Sequence, residues 1–158
     1  MSLDSENTQI ASLDSSETDI SITLVSNNGE SFQINKSYVI PMSNLVSTAL
    51  SGDNETTLDL DVPTFHLNKI IEWCNHHKGI APEPILKPLR SAVMKENTND
   101  FDADFIDKFT IIKDLYDFIK YVNYMDIQPL LLLACAKVAS LAKGVPIDVI
   151  KERLTVKE

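Results

Sequence analysis

Cys74, His76 and His77 place a thiol and two imidazoles within four residues, and these are the side chains that hold zinc. On a helix each residue turns by about 100°, so Cys74 and His76 lie about 200° apart and cannot close on one ion. Cys74 and His77 are one turn apart and can, with other ligands drawn from the distant Cys135 or from carboxylates. The plainer reading packs Cys74 inward and leaves both imidazoles at a helix C-terminus, where positive charge is favoured. Asp59 and Asp61 alternate along a strand, so both point outward and are solvated rather than paired for proton transfer. The chain has four glycines, all isolated. They form neither a Gly-x-Ser-x-Gly elbow nor a phosphate-cradling loop. The expectation is no catalytic residue, no metal and no cofactor.

The most telling stretch is Pro129 to Ala142. It holds good helix formers and a single charge, Lys137. Its apolar residues run nearly all the way round, whereas a surface helix keeps them to one stripe. Such a helix sits deep in a core or awaits a partner, and its residues alone leave both open. The run Leu130 to Ala136 falls far short of the ~20 residues that span a bilayer.

Several elements must position these residues. Residues 1–19, rich in Ser, Asp, Glu, Thr and Asn, read as a disordered leader. Ile20, Ile22 and Leu24 alternate with polar residues, and Phe32 and Ile34 do the same after Asn28-Gly29, which predicts a hairpin. Tyr38 to Leu50 reads as helical toward its end, mainly after Pro41, with Leu45, Val46, Ala49 and Leu50 on one face. Leu58, Leu60 and Val62 predict a third short strand. Pro63-Thr64 opens a helix whose face is Leu67, Ile70, Ile71 and Cys74, ended by Gly79. Trp73 beside that face reads as a cover for a core edge or as an interface anchor. Residues 79–100, with Pro82, Pro84 and Pro88, read as a flexible connection. A short helix from Asp102 to Phe109 follows. Next comes an amphipathic helix with Leu115, Phe118, Ile119, Val122 and Met125, ending at Asn123-Tyr124. That pair reads either as a helix-end cap with a half-buried ring or as an exposed recognition pair. Gly144 closes the apolar helix, and Pro146 starts a last one with Ile147, Ile150 and Leu154. The layout is α+β with a helical tail.

Composition narrows the partners. At 158 residues the chain supports one domain with a real core. The net charge of −9 argues against nucleic acid and against anionic membrane, which need clustered Lys and Arg. Two isolated cysteines in apolar helices look like small buried hydrophobes and fit a reducing compartment. No secretory signal is expected.

Five segments in order carry a family resemblance. They are the hairpin from Ile22 to Phe32, the helix Ile70 to Lys78, and Phe101-Asp102-Ala103-Asp104-Phe105. Then come Asn123-Tyr124-Met125-Asp126-Ile127 and the run Leu130-Leu131, Cys135, Val138-Ala139, Lys143-Gly144. Together they resemble the Skp1 family, adaptors of SCF-type cullin–RING E3 ubiquitin ligases. The resemblance spans about residues 20–155.

It implies a BTB/POZ fold, a small three-stranded sheet with helices, over 20–127. A helical dimerisation and F-box-binding region follows over 128–158, shorter than in typical members. It implies a non-catalytic adaptor, cytoplasmic and nuclear, that bridges a cullin to F-box substrate receptors in ubiquitin-dependent degradation. Asn123 and Tyr124 inherit cullin binding. Leu131, Cys135, Val138 and Ala142 inherit F-box binding, with Ile147, Ile150 and Leu154 after them. Ala142 replaces a larger aliphatic residue and Leu132 replaces a common Asp. Pro146 falls one position before the proline that some relatives modify, and Ile147 takes the aligned place. The alternative is a BTB-type scaffold outside ubiquitin ligases, self-associating as a homodimer.

Overall fold

A computed structural model of the chain describes residues 20–51, 56–143 and 148. The leader 1–19, Gly144, Pro146, Ile147, Ile150 and Leu154 lie outside the described residues. The fold divides into two units, Met1–Ile80 and Ala81–Glu158.

In the first unit the alternating segments form the expected hairpin, β1 (Ser21–Val25) and β2 (Ser31–Asn35). They pair antiparallel with Ile22 opposite Ile34 and Leu24 opposite Phe32. Ile22, Leu24 and Ile34 point to one face and are buried, as period-two alternation requires. Gly29 turns the hairpin with φ 89°, a conformation that favours glycine. After two short helices, α1 (Lys36–Val39) and α2 (Asn44–Ala49), the chain returns as β3 (Thr57–Asp59), parallel to β1. The sheet order is β2-β1-β3. Helix α1, which begins before Pro41, was not anticipated. Asn35 Oδ1 caps it by accepting the Ser37 amide at 2.9 Å.

The third strand is shorter than its apolar alternation suggests. Leu60 still donates to the Val25 carbonyl at 2.8 Å, but the Val62 carbonyl accepts from Asn27 in the hairpin turn at 3.0 Å. Residues 60–62 therefore leave the ladder and bend into helix α3 (Thr64–His77). Pro63 offers no side-chain cap. The turn residue Asn28 supplies one instead, its Oδ1 accepting the Thr64 amide at 2.9 Å. Ser26, almost fully buried, shares a 2.8 Å hydrogen bond with the Thr64 hydroxyl and accepts the Asn28 and Glu30 amides. One turn thus satisfies both the hairpin and an orphan donor of the helix. Helix α3 packs on β2 and α1. It ends through two left-handed residues, Lys78 (φ 52°) and Gly79 (φ 83°), rather than through the glycine alone.

In the second unit, Asn99 caps α4 (Asp100–Asp107), accepting the Asp102 amide at 2.8 Å. Helix α5 (Ile112–Met125) turns through left-handed Asp126 straight into α6 (Gln128–Ala142). Helix α6 packs on α5 and α4. Phe105, Phe109 and Phe118 form the aromatic centre, with Phe109 and Phe118 rings 4.6 Å apart. Among the described residues no helix is long and apolar enough to cross a membrane.

A Cβ on Gly79 would press against the Ser37 backbone carbonyl, whereas one on Gly29 meets nothing within 4 Å. Both substitutions carry the left-handed penalty of ~1 kcal/mol. Gly79→Ala is therefore expected to lower stability by clearly more than Gly29→Ala, measured as the difference in urea-unfolding free energy.

Candidate functional site

Helix α6 resolves the question its sequence leaves open, because it is buried on one side only. Leu130, Leu133, Ala134, Ala136 and Ser140 are buried. Opposite them, Leu132, Cys135 and Ala139 are exposed, and Leu131, Val138 and Ala142 are half-buried. At ~100° per residue these six fall within about a 120° arc. The arc holds no charge. The one charge of the helix, Lys137, is turned away from it and bonds Asp107 Oδ1 at 2.7 Å. So α6 has two apolar faces. One packs on α4 and α5, and the other lines an open groove.

The groove has a volume of about 440 Å³. Leu132, Cys135, Ala136, Ala139 and Ala142 line it from α6, and Ile85, Lys87, Pro88 and Leu89 line it from the connection. Three small alanines leave the space that larger side chains would fill. Of the sequence-expected receptor positions, Leu131, Cys135, Val138 and Ala142 share this face. Ile147, Ile150 and Leu154 lie outside the described residues. Ala139 was missed, although it follows Cys135 by one helical turn. Ile85 and Leu89 were missed because a Pro-punctuated stretch carries no periodic signal.

Asn123 and Tyr124 stand in the last turn of α5, both exposed, with Tyr124 at 41%. Met125 and Val122 beside them are fully buried. Helix α5 ends without a glycine: Asp126 takes φ 56° and its amide reaches the Asn123 and Val122 carbonyls. Gln128 Nε2 donates to Asp126 Oδ1 at 2.8 Å. This tight corner leaves the exposed pair facing outward. Tyr116, two turns earlier on the same face, is 53% exposed and was not anticipated.

The candidate metal cluster separates. Cys74 is buried, and burial pushes its thiol up to about 12. His77 sits between rings, 4.4 Å from Trp73 and 5.0 Å from His76 by centroid. Trp73 itself has no exposed surface, so it is a core residue rather than an interface anchor. Among the described residues no group of three His, Cys, Asp or Glu is placed to hold a metal ion. Asp59 and Asp61 are exposed, and Asp61 accepts from Asn27 Nδ2 at 3.1 Å.

The Skp1 family tetramerisation domain matches residues 20–79. The S-phase kinase-associated protein 1 homolog of Tetrahymena thermophila is 38% identical over 107 residues, 66% of this chain. The chain covers 64% of that protein, a little under two thirds of its length. The E3 ubiquitin ligase complex SCF subunit sconC of Arthroderma otae is 32% identical over 128 residues, covering 78% of this chain and 74% of the relative. SKP1-like protein 20 of Oryza sativa is 29% identical over 155 residues, 89% of this chain and 86% of the relative.

The two cysteines differ in access, Cys74 being buried and Cys135 exposed, and alkylation reads that difference. In the native protein at pH 8, iodoacetamide is expected to modify Cys135. Cys74, protonated at that pH and buried, should stay unmodified until denaturant is added. Peptide mass mapping with and without urea checks this, and equal labelling of both thiols in the native state contradicts the arrangement.

Proposed function

The chain belongs to the Skp1 family, and from that membership we propose that it is a non-catalytic adaptor of an SCF-type cullin–RING E3 ubiquitin ligase. In this reading it bridges the N-terminal region of a cullin to F-box substrate receptors. The uncovered apolar face of α6 carries the proposal. Leu131, Leu132, Cys135, Val138, Ala139 and Ala142 form a charge-free arc on a helix already packed on its other side. A second apolar helix laid along that arc gains affinity from buried area with few polar contacts. Relatives named as subunits of an SCF E3 ubiquitin ligase complex support the assembly. The exposed Asn123 and Tyr124 supply the cullin contact, at the end of α5 and off the receptor arc. Tyr124 offers a large, half-exposed ring of the type that anchors interfaces.

A second reading is favoured by the same face. An apolar groove without a receptor drives self-association, so a homodimeric BTB-type scaffold uses the arc against a second copy. Size-exclusion chromatography with light scattering separates the two. A stable homodimer that ignores F-box domains supports the scaffold.

The adaptor reading makes opposite demands on two surfaces. Val138→Asp places a charge in the arc and is expected to weaken F-box binding by about a hundredfold or more, leaving cullin binding intact. Tyr124→Ala is expected to weaken cullin binding by about tenfold or more, leaving F-box binding intact. Both are measured by isothermal titration with the purified cullin N-terminal region and an F-box domain from the source organism. If the unmutated protein binds neither, the adaptor reading is wrong.

A further inference from the structure

We propose that the receptor groove has two walls and a basic rim, so that it selects an apolar receptor helix flanked by carboxylates. This rests on the adaptor reading and deepens it. The second wall is the connection, where Ile85 and Leu89 are half-buried against the groove and Pro88 lies between them. The wall is anchored just beyond its end. Asn97 Oδ1 accepts the Arg90 amide at 3.0 Å, and its Nδ2 donates to the Ser91 and Val93 carbonyls at 2.8 and 3.1 Å. Met94, the next residue, is buried to 1% exposure. A polar clamp and an apolar anchor therefore hold the stretch that follows Leu89.

The charge around the groove is the reverse of the charge of the chain. Acidic residues outnumber basic ones 23 to 14, yet among the described residues no carboxylate lines the groove. The charged residues described there are Lys87 and Lys143, both exposed. Among the described residues neither is paired with a carboxylate. Lys87 belongs to the connection and Lys143 follows the last turn of α6, so each wall contributes one cation. Between them the floor is cut down to Cys135, Ala136, Ala139 and Ala142. Such a floor accepts a bulky apolar side chain from the partner, and the two ammonium groups await carboxylates on either side of it. Charges at an interface rim act mainly on specificity and association rate, so the lysines choose among receptors while the apolar walls hold them.

The test uses the full chain and one purified F-box domain of the source organism, titrated at 50 and 300 mM salt (both values on the order of the range where screening changes). Leu89→Ser is expected to weaken binding about tenfold. Its thermal midpoint should match the unmutated protein, because Leu89 is only half-buried. The pair Lys87→Glu and Lys143→Glu is expected to weaken binding about tenfold at low salt and far less at high salt. Val138→Asp serves as the reference for the α6 wall. Loss of binding in Val138→Asp with none in Leu89→Ser overturns the second wall and leaves the adaptor reading standing. A lysine-pair variant that binds as tightly as the unmutated protein at both salt concentrations overturns the basic rim. Unchanged binding in Val138→Asp overturns the adaptor reading itself. A homodimer that Leu89→Ser dissociates assigns the groove to a second copy and also ends the proposal.

Discussion

Helix α6 carries large apolar side chains through most of its turn, and the α4–α5 pair covers only the side that holds Leu130, Leu133 and Ala134. No rotation of the helix about its axis removes the problem. Turning Leu131 and Val138 inward would turn Leu133 and Ser140 out. The chain therefore presents an apolar surface that its own described elements meet on one side only. What surrounds α6 answers to this condition: the connection lies along the groove, and the corner at Asp126 starts α6 directly beneath the end of α5.

The fold carries little chemistry and much geometry. The buried thiol of Cys74 is held protonated, His77 packs at a tilt against Trp73, and the acidic pair of the β3 region is exposed. The first unit instead invests its polar groups in closing its own corners. Ser26, Asn28 and Thr64 tie the hairpin tip to the start of α3. These are the groups a rigid support needs.

Much of this was legible from residue order, for reasons that differ by element. Period-two alternation marked β1 and β2, because one face of that sheet is buried and the other is not. The stripe Leu67, Ile70, Ile71, Cys74 marked α3 for the same reason at helical spacing. Helix α6 offers no such contrast. When both faces are apolar, the periodic contrast vanishes, and only packing tells which face is inside. The end of β3 is hidden because Leu60 and Val62 keep the alternation while the Val62 carbonyl turns to the hairpin turn. The wall at Ile85 and Leu89 was invisible, since its fit depends on a helix some fifty residues away. The cap that Asn28 gives to Thr64 was hidden likewise by its distance along the chain.

The ion pair between Lys137 and Asp107 acquires a different meaning in this light. The Lys137 side chain is 14% exposed, and that of its partner Asp107 is 43% exposed. A surface pair of this kind adds little to stability. Yet Lys137 is the only charged side chain within α6, on a helix whose two apolar faces are otherwise interchangeable to the core. Burying the ammonium without Asp107 would be costly, so the pair works as an index mark that fixes which way the helix is turned. A helix that can seat in two orientations carries no defined address. One charge, met by one carboxylate, tells the outward residues apart from the inward ones.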